Sequence, residues 1–231
     1  MCAKLLPREA LTEIEPPDTF MSTCQKVVNL LAKSLHVPAA LVMRIHADEL
    51  EVFVSSQNGE TPYQKGERVK MDTGVYCEKV ISTHKELLVT NALMDPEWDR
   101  NPDIELGMIA YCGLPVYWPN GDIFGTICIL DIKENKFSAH CRALLKQFRE
   151  LIEVSLEIVY EKCMVETNNR KLVTAIEQGP SSVIITDPDG KIEYVNSSFE
   201  KITGYTFDEV LRQNPRNIVR DSCYYQVDLV S

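Results

Sequence analysis

The residue types best suited to ligand binding are concentrated in one irregular segment, residues 95–112, "DPEWDRNPDIELGMIAYC". Two prolines interrupt it, so we predict a loop with a short helix at about residues 103–108. Large apolar side chains stand there beside hydrogen-bonding groups, a mixture typical of a small-molecule pocket. The candidate ligand contacts, including Tyr76 from a neighbouring segment, are Trp98, Asn101, Asp103, Met108, Tyr111, Tyr76 and Cys112. In the alternative interpretation, Trp98 and Met108 simply cover a sheet.

The cysteines and histidines do not form a recognisable redox motif or metal site. None of the eight cysteines forms a CxxC pair, which favours free thiols in a reducing compartment. Cys128 and Cys163 lie in apolar patterns and are expected to be packing residues. The four histidines are not spaced as metal ligands, so we expect no metal site.

Composition restricts the classes of partner. The formal net charge of −10 and the absence of a basic cluster argue against nucleic acid as a ligand. No apolar run approaches the roughly 20 residues that span a bilayer, and the first residues lack the apolar core of a signal peptide. We therefore expect a cytoplasmic protein that does not bind membranes. At 231 residues, two structural units are expected, after a flexible arm over residues 1–16.

The elements that must position the candidate residues follow from periodicity. Apolar residues at helical spacing predict a first helix at about residues 18–35, and two alternating runs after it predict an antiparallel hairpin. The stretch "TGVYCEKVISTHK" is typical of a short helix and "ELLVTNAL" of a short strand. A second hairpin is predicted in "GLPVYWPNGDIFGTICILD", where Pro-Asn-Gly-Asp marks the turn.

A long helix follows, about forty residues without proline. Its apolar residues alternate at spacings of three and four, with Ser155, Lys162 and Asn169 at the remaining seam positions. The early part of the helix can pack on the sheet, and the remainder is predicted to pair with a second copy in a parallel homodimer. The predicted seam consists of Leu144, Phe148, Leu151, Ile158, Val165, Leu172 and Ile176.

The order of these elements, with the pattern "GLPV" followed by "FGTICILD", resembles a GAF domain over residues 17–160. The resemblance implies an α+β fold, in which helices flank an antiparallel sheet and loops on the other side close over a small ligand. The hairpin quoted above would then form the floor of the pocket. Bilin-binding members carry a Cys-His pair, whereas this chain has "AHCR", and the cyclic-nucleotide signature lacks its Asp-Glu here. Neither ligand is expected.

Beyond the long helix, "ITDPDGKIEYVNSSFEKITGY" resembles the first half of a PAS domain, over residues 172–216. It predicts a strand, an Asp-Gly turn, a second strand and a helix that begins after Asn196 and ends at Gly204. Residues 161–178 would continue the last GAF helix as a signalling helix, and residues 179–231 are too few for a complete PAS domain. We expect neither haem nor flavin there. The stretch "YYQVDLV" is apolar enough to add a strand, in trans or by folding back, although a loosely collapsed segment is an equal alternative.

These resemblances imply the sensory module of a signal-transduction protein, of the histidine kinase or diguanylate cyclase type. No kinase, cyclase or phosphate-binding motif follows, so the chain itself is not expected to be an enzyme. One alternative is an enzyme similar to free methionine-(R)-sulfoxide reductases, which are GAF proteins, acting through Cys77 and Cys112. The other alternative is a dimerisation module that binds no ligand.

Overall fold

The computed structural model describes residue 11 and residues 14–218, and the chain divides after Met164 into two units. The first unit contains three helices, six strands and two short 3-10 turns in its described part. In chain order, the helices and strands are α1 (Asp18–Leu35), β1 (Ala39–Ile45), β2 (Glu49–Ser55), β3 (Arg68–Lys70), α2 (Tyr76–Thr83), β4 (Leu87–Val89), β5 (Ala110–Tyr117), β6 (Ile123–Asp131) and α3 (Ala139–Gln178), which continues into the second unit. The first helix, both hairpins and the long helix confirm the predictions from periodicity.

The six strands form one antiparallel sheet in the order β3-β2-β1-β6-β5-β4. The central strands β1 and β6 approach so closely at one point that a Cβ on Gly125 would overlap the carbonyl oxygen of Met43. This contact explains why glycine interrupts the apolar run of β6. The β5–β6 hairpin pairs Tyr111 with Leu130, which fixes the face that each side chain occupies.

Apolar side chains cover both faces of the sheet. One face packs against α1 and α3, whose contributions include Leu31 and Ile152. The other face packs against α2 and the loops, with Tyr76 and Val80 in its core. Because side chains alternate along a strand, Tyr111 lies on the α2 face and Cys112 on the α1 face. The predicted α+β architecture, with helices on one side and loops on the other, is confirmed, except that α2 joins the loops.

The loop between β4 and β5 departs from its predicted structure. Instead of a helix at residues 103–108, it contains two 3-10 turns, Ala92–Met94 and Pro102–Ile104. Pro102 occupies the first turn after Asn101, whose side chain accepts a hydrogen bond from the Asp103 N–H, and Gly107 follows with a φ of 82°. This local cap and the positive φ limit the helix to a single turn.

Helix α3 accounts for only part of the predicted seam. Leu144 and Phe148 are half-buried against the chain's own core, because α3 covers the sheet there. In the first unit, Leu151, Val154 and Ile158 are exposed, with 46%, 58% and 68% of their surface accessible. In the second unit, Val165 and Leu172 are exposed and Ile176 is half-buried. The first two positions therefore belong to the core of the domain rather than to a free seam.

Most of the predicted N-terminal arm lies outside the described residues. At its end, Leu11 is buried in the α1-side core, and Arg44 donates a hydrogen bond of 2.6 Å to the carbonyl oxygen of Ile14. These residues pack on the sheet rather than extending from it, because their apolar side chains find a place in the core. Within the described ranges, no helix is long and apolar enough to span a membrane.

The second unit begins within α3 and contains a two-stranded antiparallel sheet and three short helices. They are β7 (Ile184–Thr186), β8 (Ile192–Val195), α4 (Ser197–Thr203), α5 (Phe207–Val210) and α6 (Pro215–Ile218). Asn196 caps α4 and Gly204 ends it in the left-handed conformation, as predicted. Ile192, Val195 and Phe199 form its small core with Val210 and Ile218. The predicted strand "YYQVDLV" lies outside the described residues.

Candidate functional site

A cavity of about 100 Å³ lies between the α2 face of the sheet and the β4–β5 loop. Its apolar walls come mainly from the strands, and the loop contributes Pro102, Asp103 and Leu106. Seven polar side chains also line it: Tyr63, Glu67, Arg68, Cys77, Asp103, Tyr111 and Cys128. An apolar cavity of about 150 Å³ accommodates benzene, so this one matches a ligand of a few non-hydrogen atoms.

Asp103 is held by hydrogen bonds from three directions. The hydroxyl group of Tyr63 donates to its Oδ1 at 2.7 Å, and its backbone N–H donates to the Asn101 side chain at 2.8 Å. The carboxylate also accepts a hydrogen bond from the backbone N–H of Tyr76 at the start of α2. Asn101 in turn donates to the carbonyl oxygen of Gly74 at 2.9 Å. The loop is thereby fixed to α2 and to the segment before β3.

Burial affects the protonation of both Tyr63 and Asp103. Desolvation raises the pKa of Asp103, and the hydrogen bond from Tyr63 acts in the opposite direction. Desolvation together with the neighbouring Asp103 raises the pKa of Tyr63. Tyr63 is therefore the proton donor of the pair, and an acceptor oxygen is available at the cavity wall.

A second polar cluster surrounds the thiol of Cys77. The Thr126 hydroxyl donates a hydrogen bond of 3.3 Å to its Sγ, and the Tyr111 hydroxyl lies 3.4 Å away. The neighbouring Cys128 thiol lowers the pKa of Cys77, although burial opposes this change. Burial holds the pKa of Cys128 well above its ordinary value. The two neighbouring thiols therefore differ in acidity.

Aromatic rings behind the cavity wall support Tyr111, which lines the cavity. The Tyr76 ring lies between Tyr111, at 4.8 Å between centroids, and Trp98, at 5.1 Å. The Tyr76 hydroxyl donates to the carbonyl oxygen of Met108 at 3.2 Å. The ring of Tyr111 lies over Gly113, where a Cβ would overlap it. The glycine thus allows the Tyr111 hydroxyl to reach Cys77.

The structure therefore separates the seven sequence candidates into three groups. Asp103 and Tyr111 line the cavity. Trp98, Asn101, Met108 and Tyr76 pack or hydrogen-bond behind them. Cys112 lies in the core on the opposite face of the sheet, so it is not brought together with Cys77. The physical reason is that successive side chains of β5 point to opposite faces of the sheet.

Sequence reasoning did not assign five polar lining residues to a pocket, namely Tyr63, Glu67, Arg68, Cys77 and Cys128. Cys128 is buried as expected, but it also faces the cavity. The signal for Cys128 was present in the hairpin, because it shares a strand face with Leu130 and hence with Tyr111. Tyr63 lies in an irregular segment without periodicity, and no local pattern marks it.

Comparisons with known proteins agree with both resemblances noted in the sequence. The GAF domain family model matches residues 20–156, and a PAS domain model matches residues 180–228. A hybrid signal transduction histidine kinase L of Dictyostelium discoideum is 42% identical over 50 residues, covering 22% of this chain and 3% of that protein. The bacterioopsin transcriptional activator of Halobacterium salinarum is 44% identical over 55 residues, covering 22% and 8%. The chain thus spans less than a tenth of either relative in these matches.

Among solved structures, the blue-light absorbing form of the Thermosynechococcus elongatus PixJ GAF domain superposes with a TM-score of 0.52. The two sequences are 11% identical, and the superposition covers 67% of this chain and 93% of that domain. At this identity the likeness concerns the fold alone.

Proposed function

Since the chain belongs to the GAF domain family and carries a PAS domain match after it, we propose that it is a sensory module whose GAF cavity binds a small molecule. The GAF and PAS domains place it among sensor modules of signal transduction. We propose further that the module controls an output of the histidine kinase or diguanylate cyclase type. The match of 50 residues to a histidine kinase supports the first of these outputs.

The observation that carries ligand binding is the cavity itself. Apolar walls meet a small set of converging polar groups there, namely the Asp103 carboxylate, the Tyr111 hydroxyl and the Cys77 thiol. Apolar contacts favour a ligand by desolvation, and the polar groups select its orientation. A partner for Asp103 must donate a hydrogen bond, since an unmatched buried carboxylate opposes binding.

The proposed signal runs from the cavity through the loop to the helix. A ligand that contacts Asp103 would bias the position of the 95–107 loop, which the hydrogen bonds of Asp103 and Asn101 hold in place. A switch of this kind requires two states with different ligand affinities. We propose that the second state differs in the pairing of α3 within a homodimer, because its exposed apolar residues suit such an interface.

Binding is tested with the small-molecule fraction of a cell extract as the probe. A Trp118→Phe background leaves Trp98 as the sole tryptophan reporter, and its ring contacts Tyr76 behind the cavity at 5.1 Å between centroids. We expect the fraction to change Trp98 fluorescence and to raise the thermal midpoint, because a ligand that binds only the native state stabilises it. Native mass spectrometry then gives the mass of the bound molecule.

A matched pair of variants separates cavity binding from surface binding. Val69→Phe fills the cavity from the edge strand β3, whereas Leu88→Phe adds the same kind of bulk on the opposite edge strand β4. Binding should be lost in the first variant and retained in the second. If no fraction of the extract shifts either signal, the domain is instead the dimerisation module without a ligand.

A further inference from the structure

The thiols of Cys77 and Cys128 both lie at the wall of the cavity, and ligand binding leaves their redox chemistry unused. Cys77 is the second residue of α2, and Cys128 lies in the middle of β6, so the pair joins two elements that are distant in sequence. Both thiols line the same cavity, and Thr126, which lies two residues before Cys128 on the same face of β6, donates a hydrogen bond of 3.3 Å to the Cys77 sulfur. We propose that these two cysteines are a modification site, at which a small uncharged peroxide converts the dithiol into a disulfide.

The surroundings assign different roles to the two sulfur atoms. Hydroxyl groups of Thr126 and Tyr111 lie within 3.3 and 3.4 Å of the Cys77 sulfur, where they can stabilise negative charge. In keeping with this, the pKa of Cys77 is lowered and that of Cys128 is raised. The thiolate is the nucleophile in cysteine chemistry, so Cys77 attacks first and Cys128 responds.

The reaction balances with peroxide as the only oxidant. The Cys77 sulfur attacks one peroxide oxygen; an S–O bond forms, the O–O bond breaks, and the departing oxygen takes the thiol proton and leaves as water. Cys77 is then a sulfenic acid and the peroxide has been reduced. The Cys128 sulfur attacks the Cys77 sulfur, an S–S bond forms, the S–O bond breaks, and hydroxide leaves with the Cys128 proton as a second water.

The cavity restricts which oxidant reaches the site. Its volume of about 100 Å³ and apolar walls admit a molecule such as hydrogen peroxide, and the two lining carboxylates, Asp103 and Glu67, outnumber the Arg68 guanidinium and so disfavour anions. Other buried thiols differ from Cys77. Cys24 and Cys112 lie in the α1-side core, where burial raises the pKa of each to about 12. The proposal goes beyond ligand sensing, because it requires no bound ligand.

The test is disulfide mapping of the full chain. Reduced protein, freed of reductant, is treated with a small excess of hydrogen peroxide, alkylated and digested. Trypsin leaves Cys112 and Cys128 on one peptide, so chymotrypsin is added to cut between them. We expect a Cys77–Cys128 cross-linked peptide that disappears with dithiothreitol. Oxidation confined to other cysteines, or equal oxidation of Cys24, would overturn the proposal.

Variants test the order of attack. In Cys128→Ser, the sulfenic acid on Cys77 has no resolving thiol, so dimedone should label Cys77; in Cys77→Ser, Cys128 should stay unlabelled. Cys112→Ser is the matched control, a buried thiol on the other face of the sheet, and it should oxidise like the parent protein. Labelling of Cys128 in Cys77→Ser at the parent rate would contradict the assigned roles.

Thr126→Val keeps the shape of the side chain but removes the hydrogen bond to Cys77. We expect oxidation on the order of ten-fold slower at neutral pH, the cost of one hydrogen bond to a charged group, with a pH profile displaced to higher pH. Unchanged rate and profile would show that Thr126 has only a structural role. If a variant fails to fold, disulfide mapping of the parent protein over a pH series still shows whether the Cys77–Cys128 disulfide forms. Failure here leaves the ligand-binding proposal intact, since the two are measured separately.

Discussion

The hydroxyl group of Tyr63 donates a hydrogen bond of 2.7 Å to Oδ1 of Asp103, which lies 40 residues further along the chain. Tyr63 belongs to the segment between β2 and β3, and Asp103 belongs to the β4–β5 loop. Their bond joins two irregular segments across the mouth of the cavity. Asp103 is 8% exposed, so the bond is formed where water competes weakly for either group.

Asp103 should make stability depend on pH. Burial raises the pKa of its carboxyl group above 3.8, so the native state holds the proton more tightly than the unfolded state does. The free energy of unfolding should therefore fall as the pH rises from about 4 through the native pKa. In Asp103→Asn, the free energy of unfolding should lack this decrease with rising pH. Thermal unfolding over a pH series measures it, with the exposed loop residue Asp99→Asn as a control that keeps the parent slope.

Tyr63→Phe should destabilise the protein by about 1–3 kcal/mol, because the variant leaves a buried carboxylate with one donor fewer. Urea unfolding measures the loss. Tyr117→Phe is the control: its hydroxyl group makes only long contacts near the surface, 3.4 Å to the carbonyl oxygen and 3.5 Å to Nδ1 of His84, and the change should be smaller. Equal effects of the two variants would mean that the Tyr63–Asp103 bond contributes nothing specific.

The fold was largely predictable because periodicity is a local property. Alternation marks β1, β2 and β5 as strands, a nearly continuous apolar run marks β6, and the long apolar repeat marks α3. The site was less predictable, because its contacts join segments that are distant in sequence, as with Tyr63 and Asp103. The sequence prediction places Cys112 in the same pocket as Tyr111, yet adjacent residues of a strand face opposite sides of the sheet.

Among the described polar residues of the second unit, Asn196 should be the one whose replacement destabilises the unit most. It is fully buried, and its side-chain oxygen accepts hydrogen bonds from the N–H groups of Phe199 and Val183 at 3.0 and 2.9 Å. Its side-chain amide donates to the carbonyl oxygens of Ile176 and Ser181 at 2.8 and 2.9 Å. One side chain thus satisfies four backbone groups, including the start of α4.

Asn196→Ala should therefore remove hydrogen-exchange protection from β7, β8 and α4 while the strands of the GAF domain stay protected, since each lost cap and buried partner costs about 1–2 kcal/mol. The control is Ser181→Ala, in which only a side-chain hydroxyl is lost and the backbone carbonyl that Asn196 contacts remains. Protection retained in Asn196→Ala would show that the small core alone stabilises this unit.

The exposed apolar residues of α3 give the last prediction. Leu151 and Ile158 are separated by one heptad and lie in the first unit, where Leu145, Ile152 and Leu156 of the same helix are buried in the core. Replacing both exposed residues by Glu leaves those core contacts intact and places charges at a proposed homodimer interface, where burial of an unpaired charge is strongly unfavourable. Light scattering should show a shift from dimer to monomer, with an unchanged circular dichroism spectrum. Glu157→Lys with Glu161→Lys alters two exposed polar positions of the same helix and should leave the dimer unaffected. A dimer of parent mass in the Leu151→Glu, Ile158→Glu variant would place any interface elsewhere, and the signal would then have to leave the cavity by a route other than this face of α3.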